Sequence, residues 1–159
     1  MIELYKRGIY AISTDPARLD ARAVHRYLCT SYWAEGIPLE LVERSLRHSI
    51  CFGLYAPEGQ VGLARVISDE ATFAHVCDVY VLPAHRGHGL GRWLMSCVMG
   101  SPRLQGLRRW MLVTRNAHAL YRDVGFGPPR DAGGIMERVE PGIYRRAPGV
   151  PHRPPPARA

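Results

Sequence analysis

Val79-Tyr80-Val81-Leu82-Pro83-Ala84-His85-Arg86-Gly87-His88-Gly89-Leu90-Gly91 is the stretch whose reading decides the fold. A short apolar strand runs through a glycine-rich loop into an amphipathic segment. Leu90, Trp93, Leu94, Cys97 and Val98 recur at i, i+3, i+4, i+7 and i+8, which predicts one buried helix face. The first N–H groups of a helix have no partner inside it, and the macrodipole makes that end positive. Glycines allow φ > 0 and close approach to the backbone. The expected occupant is a phosphate or pyrophosphate.

Around this feature the chain has 159 residues, enough for one domain with a sizeable core, and a 47% apolar fraction typical of globular proteins. No apolar run reaches the roughly 18 residues of a membrane span. Met1-Ile2-Glu3-Leu4-Tyr5-Lys6-Arg7 lacks the apolar core of a signal peptide. The two together predict a cytoplasmic protein with no membrane partner. Cys29, Cys51, Cys77 and Cys97 are scattered without C-x-x-C or His spacing, so reduced thiols and no metal are expected. The formal charge of +7 is almost all arginine, with Lys6 the only lysine. The positive residues are spread along the chain, so nucleic acid is not the expected partner.

Along the chain, Ile9 to Ile12 reads as a first strand. Asp20 caps a helix carrying Val24, Tyr27 and Leu28, and Pro38 suits the first turn of a second with Leu41, Val42, Ser45 and Leu46. Ile50 to Ala56 and Gln60 to Ile67 form a hairpin about Pro57-Glu58-Gly59, and a strand from Thr72 to Leu82 completes a meander. After the loop helix, Trp110 to Val113 is a strand and Ala117 to Val124 a short helix closed by Gly125. Ile135 to Tyr144 is expected to give a last strand pair. The domain is expected to cover 1–146, with a Pro/Arg-rich flexible tail at 147–159.

The glycine loop is neither of the common nucleotide motifs. A dinucleotide fingerprint started at Gly87 or Gly89 would need its third glycine where Arg92 or Leu94 stands, and the Lys-Ser/Thr of a P-loop is absent. Arg86-x-x-Gly89-x-Gly91 instead resembles the acetyl-CoA motif of the GNAT superfamily of N-acetyltransferases. Leu120-Tyr121-Arg122-Asp123-Val124-Gly125-Phe126 is similar to that family's Leu-Tyr-x-x-x-Gly-Phe segment, in the same order along the chain. The resemblance implies an α/β (α+β) fold: a mixed, mostly antiparallel sheet with helices on both faces, whose fourth and fifth strands splay around CoA.

It also implies roles. Amides of the loop Arg86, Gly87, His88, Gly89, Leu90 and Gly91 would hold the pyrophosphate, with charge from Arg86 and Arg92. Main-chain groups of Val79 and Val81 would pair with pantetheine. Asn116 would contact it too, from a loop shorter than the family's. Tyr121 matches the tyrosine that serves the departing thiolate; a phenol of pKa about 10 can hydrogen-bond a thiolate whose thiol has pKa about 8.5, or give it a proton. For the general base, His75 and Asp78 both stand on the strand before the loop. They have opposite parity, so a regular strand would aim only one at the acceptor, unless a bulge intervenes. Tyr32 and Trp33 would wall the acceptor site, offering a cation–π surface to a cationic acceptor.

The leading expectation is therefore an acetyltransferase that moves the acetyl group of acetyl-CoA, a co-substrate, to a primary amine of a small molecule in a ternary complex. Alternatives are a non-catalytic acyl-CoA sensor, a protein or peptide amine acetyltransferase, and a nucleic-acid binder using Arg145, Arg146, Arg153 and Arg158. A homodimer stays open.

Overall fold

A computed structural model of the chain describes residues 1–145; the tail expected at 147–159, with Arg146, Arg153 and Arg158, lies outside the described residues. Six strands follow chain order across one open sheet: β1 (Leu4–Arg7), β2 (Tyr10–Ser13), β3 (Ile50–Ala56), β4 (Gly59–Ser68), β5 (Phe73–Val81) and β6 (Arg109–Leu112). Neighbours are antiparallel up to β5, and β6 joins β5 in parallel. The meander, the parallel return and the helices match the expected mixed sheet.

β3 is buried at every position because both sheet faces are covered. On one face, α3 (Leu90–Gly100) sets Leu90, Leu94, Met95 and Val98 against Phe52, Leu54, Ala64 and Val76. On the other, α1 (Ala21–Leu28) and α2 (Leu39–Arg47) bring Val24, Leu28, Val42 and Leu46 to Cys51, Leu63 and Tyr80. The i, i+4 spacing of these pairs puts each on one helix stripe. Asp20 caps α1 as expected, its Oδ1 accepting from Ala23 N at 2.9 Å. Pro38 sits at the N-cap of α2 rather than inside its first turn. α4 (His118–Arg122) is closed by Phe126 N donating to Tyr121 O at 3.0 Å.

Two features depart from expectation. β1 has no apolar signature, and its anchor is polar. Buried Glu3 accepts from Ser101 Oγ at 2.7 Å and from Tyr5 Oη, tying the first strand to the end of α3. Glu3→Ala leaves those donors without their acceptor, so the urea midpoint should fall by the equivalent of about 2 kcal/mol. An unchanged midpoint would show that water replaces the carboxylate at no cost.

The second departure is a correction. Ile135 to Tyr144 forms no strand pair; 3-10 turns at Ala132–Gly134 and Ile143–Arg145 flank an exposed run. The bonds Ile135 N to Ala132 O, Ile143 N to Glu140 O and Arg145 N to Gly142 O draw the backbone into local turns instead of a ladder. Tyr144 then packs beside the α1–α2 cluster and Arg145 pairs with Glu35.

Candidate active site

β5 carries the geometry of the site. Its pairing with β6 runs from Phe73↔Arg109 to Val76↔Leu112 and stops there. From Cys77 onward that side of β5 has no strand partner among the described residues. Leu82 N donates to Val61 O on the β4 side. Strand alternation therefore turns the main-chain groups of Val81, and of Val79 before it, toward the open edge. Val81 O already accepts from Arg86 Nε at 2.9 Å, so Arg86 staples the loop to its own strand, while its second arm reaches Tyr27 Oη at 3.2 Å.

At the end of that edge lies a cleft of about 390 Å³ lined by Val81, His85, Arg86, Gly87, Gly89, Leu90, Gly91, Arg92 and Leu120. Gly87 and Gly89 have φ of +83° and +69°, a region open to glycine at little cost. Gly89 is the N-cap of α3, and no side chain caps that helix. Its first amides therefore face the cleft without a protein acceptor, as an anion site requires. Arg7 of β1, which no motif announces, donates to His88 O at 3.2 Å and Gly89 O at 3.5 Å and fixes the loop from outside. His85 is held between Tyr10 Oη at 3.2 Å and Glu58 Oε1 at 3.0 Å. Arg92 lines the cleft but pairs with Asp123, the C-cap of α4, at 2.5 Å. His88 is exposed, and Asn116 is exposed outside the lining of this cleft.

Where the β5–β6 pairing ends, the sequence expectation about parity meets a bulge. The β4–β5 register holds from Ser68↔Ala74 to Arg65↔Cys77 and resumes at Leu63↔Tyr80, so Asp78 and Val79 together face Ala64. Asp78 takes φ +51° to make the extra residue, a conformation Asp tolerates better than most residues. The bulge puts His75 and Asp78 on the same face. Their environments differ. Asp78 accepts from Arg65 Nε at 2.6 Å and from Trp33 Nε1 at 3.0 Å, so each carboxylate oxygen already has a partner. Arg65 is braced by Ser49 Oγ at 3.0 Å. His75 is half-buried and its ring makes no hydrogen bond to a described residue; burial and the Arg65 charge hold its pKa below the usual imidazole value, against a smaller opposing pull from Asp78.

Tyr121 is buried on α4, with its ring edge-on to Phe126 at 6.1 Å. Burial pushes its phenol up to about 12, with smaller upward contributions from Tyr32 and Cys77. Tyr32 and Trp33 are exposed rather than core and stack edge-to-face at 4.9 Å. The structure thus links Tyr32, Trp33 and Asp78 by contact, while His75 stands in the part of β5 still paired with β6, opposite Met111. Arg65 was legible in principle: it interrupts an apolar strand on the face of Leu63.

A sheet that opens beside an uncapped helix N-terminus defines the class, a fold that lays an extended phosphate-bearing donor along a strand edge. Comparisons with known proteins supply the family. Residues 47–128 match the acetyltransferase (GNAT) domain. A Gibberella zeae protein named as an acetyltransferase is 36% identical over 155 residues, covering 82% of this chain and 86% of its own length. The crystal structure of a protein assigned to the GNAT family from Xanthomonas campestris pv. campestris superposes with TM-score 0.84 at 50% identity, over 86% of this chain and 97% of that one. A Deinococcus radiodurans structure shares the fold, with TM-score 0.67 at 19% identity over 92% of this chain and 99% of that one. The chain belongs to the GNAT acetyltransferase family, whose co-substrate is acetyl-CoA.

Proposed function

We propose that this protein transfers the acetyl group of acetyl-CoA directly to the primary amine of a small molecule, with both substrates bound together in one domain. The observation that carries this reading is the free edge of β5, which leads from the glycine loop to the neighbourhood of Tyr121. The pyrophosphate would sit on the amides of Gly87 to Gly91, and pantetheine would run along Val79 and Val81. That brings the thioester to the splay.

The amine nitrogen attacks the thioester carbonyl carbon, the tetrahedral intermediate collapses, and the C–S bond breaks. The proton leaving nitrogen passes, through water, to His75, which its depressed pKa keeps neutral at pH 7. Asp78, engaged by Arg65 and Trp33, positions the bulge instead of taking that proton. Tyr121 donates a hydrogen bond to the developing thiolate. Its pKa of about 12 makes full proton transfer uphill against a thiol of about 8.5, so the hydrogen bond is the contribution. Burial holds the thiols of Cys51 and Cys77 up to about 12 and that of Cys97 up to about 11, which suits direct transfer over an acyl-cysteine route.

Release of CoA across small amines, amino acids, polyamines and peptides tests the reading. Acetyl-CoA binding with no release for any acceptor would replace it with the sensor reading. The pH profile tests His75 separately. A base acts when deprotonated, and a lowered pKa keeps it so further into acid. With acceptor saturating, the acid limb of kcat should lie below the ordinary imidazole value of about 6.5. His75→Gln should remove this limb and cost about tenfold or more. A limb above pH 7, or one that survives in the variant, would assign the base elsewhere.

A further inference from the structure

The wall of the acceptor site is already occupied by a cation of the protein's own. The Arg115 guanidinium lies 4.1 Å above the ring centre of Tyr32, and Arg115 N donates to Tyr32 Oη at 3.2 Å. One aromatic side chain therefore fixes both ends of this arginine. One face of the Tyr32 ring is thus covered by a guanidinium, and a second positive charge beside it would meet repulsion.

The charges around the splay point the same way. Asp78 and Arg65 neutralise each other at 2.6 Å. His75 is held toward its neutral form. Arg115 is held against Tyr32 and, like several other arginines, has no carboxylate within ion-pair distance among the described residues. Arg115 is thus an exposed guanidinium held in place by Tyr32, and its planar fork suits a carboxylate in two-point contact.

We infer that the acceptor is an amine that also carries a carboxylate, an amino-acid-like molecule, and that Arg115 binds that carboxylate while the amine faces the thioester. This rests on the acetyltransferase reading above and adds the acceptor's charge to it. Arg115 sets specificity here; the bond-making groups remain those already described.

The test compares matched pairs that differ only in the carboxylate, such as L-phenylalanine with phenethylamine and L-ornithine with putrescine, across the twenty amino acids and their decarboxylated counterparts. For the best pair, kcat/KM should favour the carboxylated member by about tenfold or more. Arg115→Gln should erase that preference by raising KM for the amino acid alone. Arg115→Lys should restore part of it, and the Kd for CoA should stay within twofold in both variants. Transfer with equal or better rates on the decarboxylated amines overturns the inference and leaves the acetyltransferase reading standing. A preference unchanged in Arg115→Gln, or a loss confined to CoA affinity, also overturns it. No transfer to either member of any pair, with CoA still bound, overturns both readings.

Discussion

Tyr121→Phe is expected to lower kcat about 100-fold, a barrier increase of about 2.7 kcal/mol, while the Kd for CoA stays within twofold. The substitution removes one oxygen and keeps the ring that packs against Phe126, so the fold should be unaffected. What it removes is the hydrogen bond to a sulfur that becomes charged only as the C–S bond breaks. An interaction made in the transition state and not in the ground state lowers kcat without moving substrate affinity. Because burial pushes the phenol up to about 12, the wild-type hydroxyl is protonated throughout the working range, and the ratio of the two rates should be flat between about pH 6 and 9. Stopped-flow or steady-state CoA release measures both. Turnover equal to wild type would remove Tyr121 from the chemistry and leave it as a packing residue.

The largest stability effect is expected at Arg65. Its side chain is 14% exposed and that of its partner Asp78 is 9% exposed. Arg65→Met should cost about 3 kcal/mol by urea unfolding, because the Asp78 carboxylate stays in the protein without its counter-charge. The pair itself need contribute little net stability, since burying both charges offsets most of their attraction. The double variant Arg65→Met with Asp78→Asn should therefore recover much of the loss: no buried charge remains, and Asn accepts both the left-handed backbone and the Trp33 N–H. In the single variant the KM for acceptor should rise as well if Trp33, which bonds Asp78, forms the proposed acceptor wall. A cost below about 0.5 kcal/mol would mean that water already solvates the pair.

The loop and helix proposed to hold the donor were readable from the chain because their requirements are local. A loop that needs φ > 0 declares itself in Gly87 and Gly89, and a helix that begins there declares itself in the spacing of Leu90, Leu94 and Val98. The acceptor half was only partly readable. His75 and Asp78 were both visible as polar residues in an apolar strand, but which faced the site depended on a bulge, and a bulge belongs to two strands together. Trp33 and Tyr32 were visible as aromatics near the right helix. Their partners Asp78 and Arg115 stand 45 and 83 residues away in sequence, beyond any local pattern. The segment from Ile135 to Tyr144 shows the opposite failure. Its apolar residues suggested strands, yet a strand needs a neighbour, and here the backbone bonds close on themselves in turns at either end.

By itself, then, the sequence determined the glycine loop, the helix that starts from it, and through the two motif segments the family. Each depends on backbone conformation and periodicity within a few residues. Only the tertiary structure decided which charges are cancelled and which are left over. It paired Arg65 with Asp78, brought Arg7 to the loop carbonyls, and laid Arg115 over Tyr32. Charge cancellation depends on distance in space, and the fold alone sets those distances.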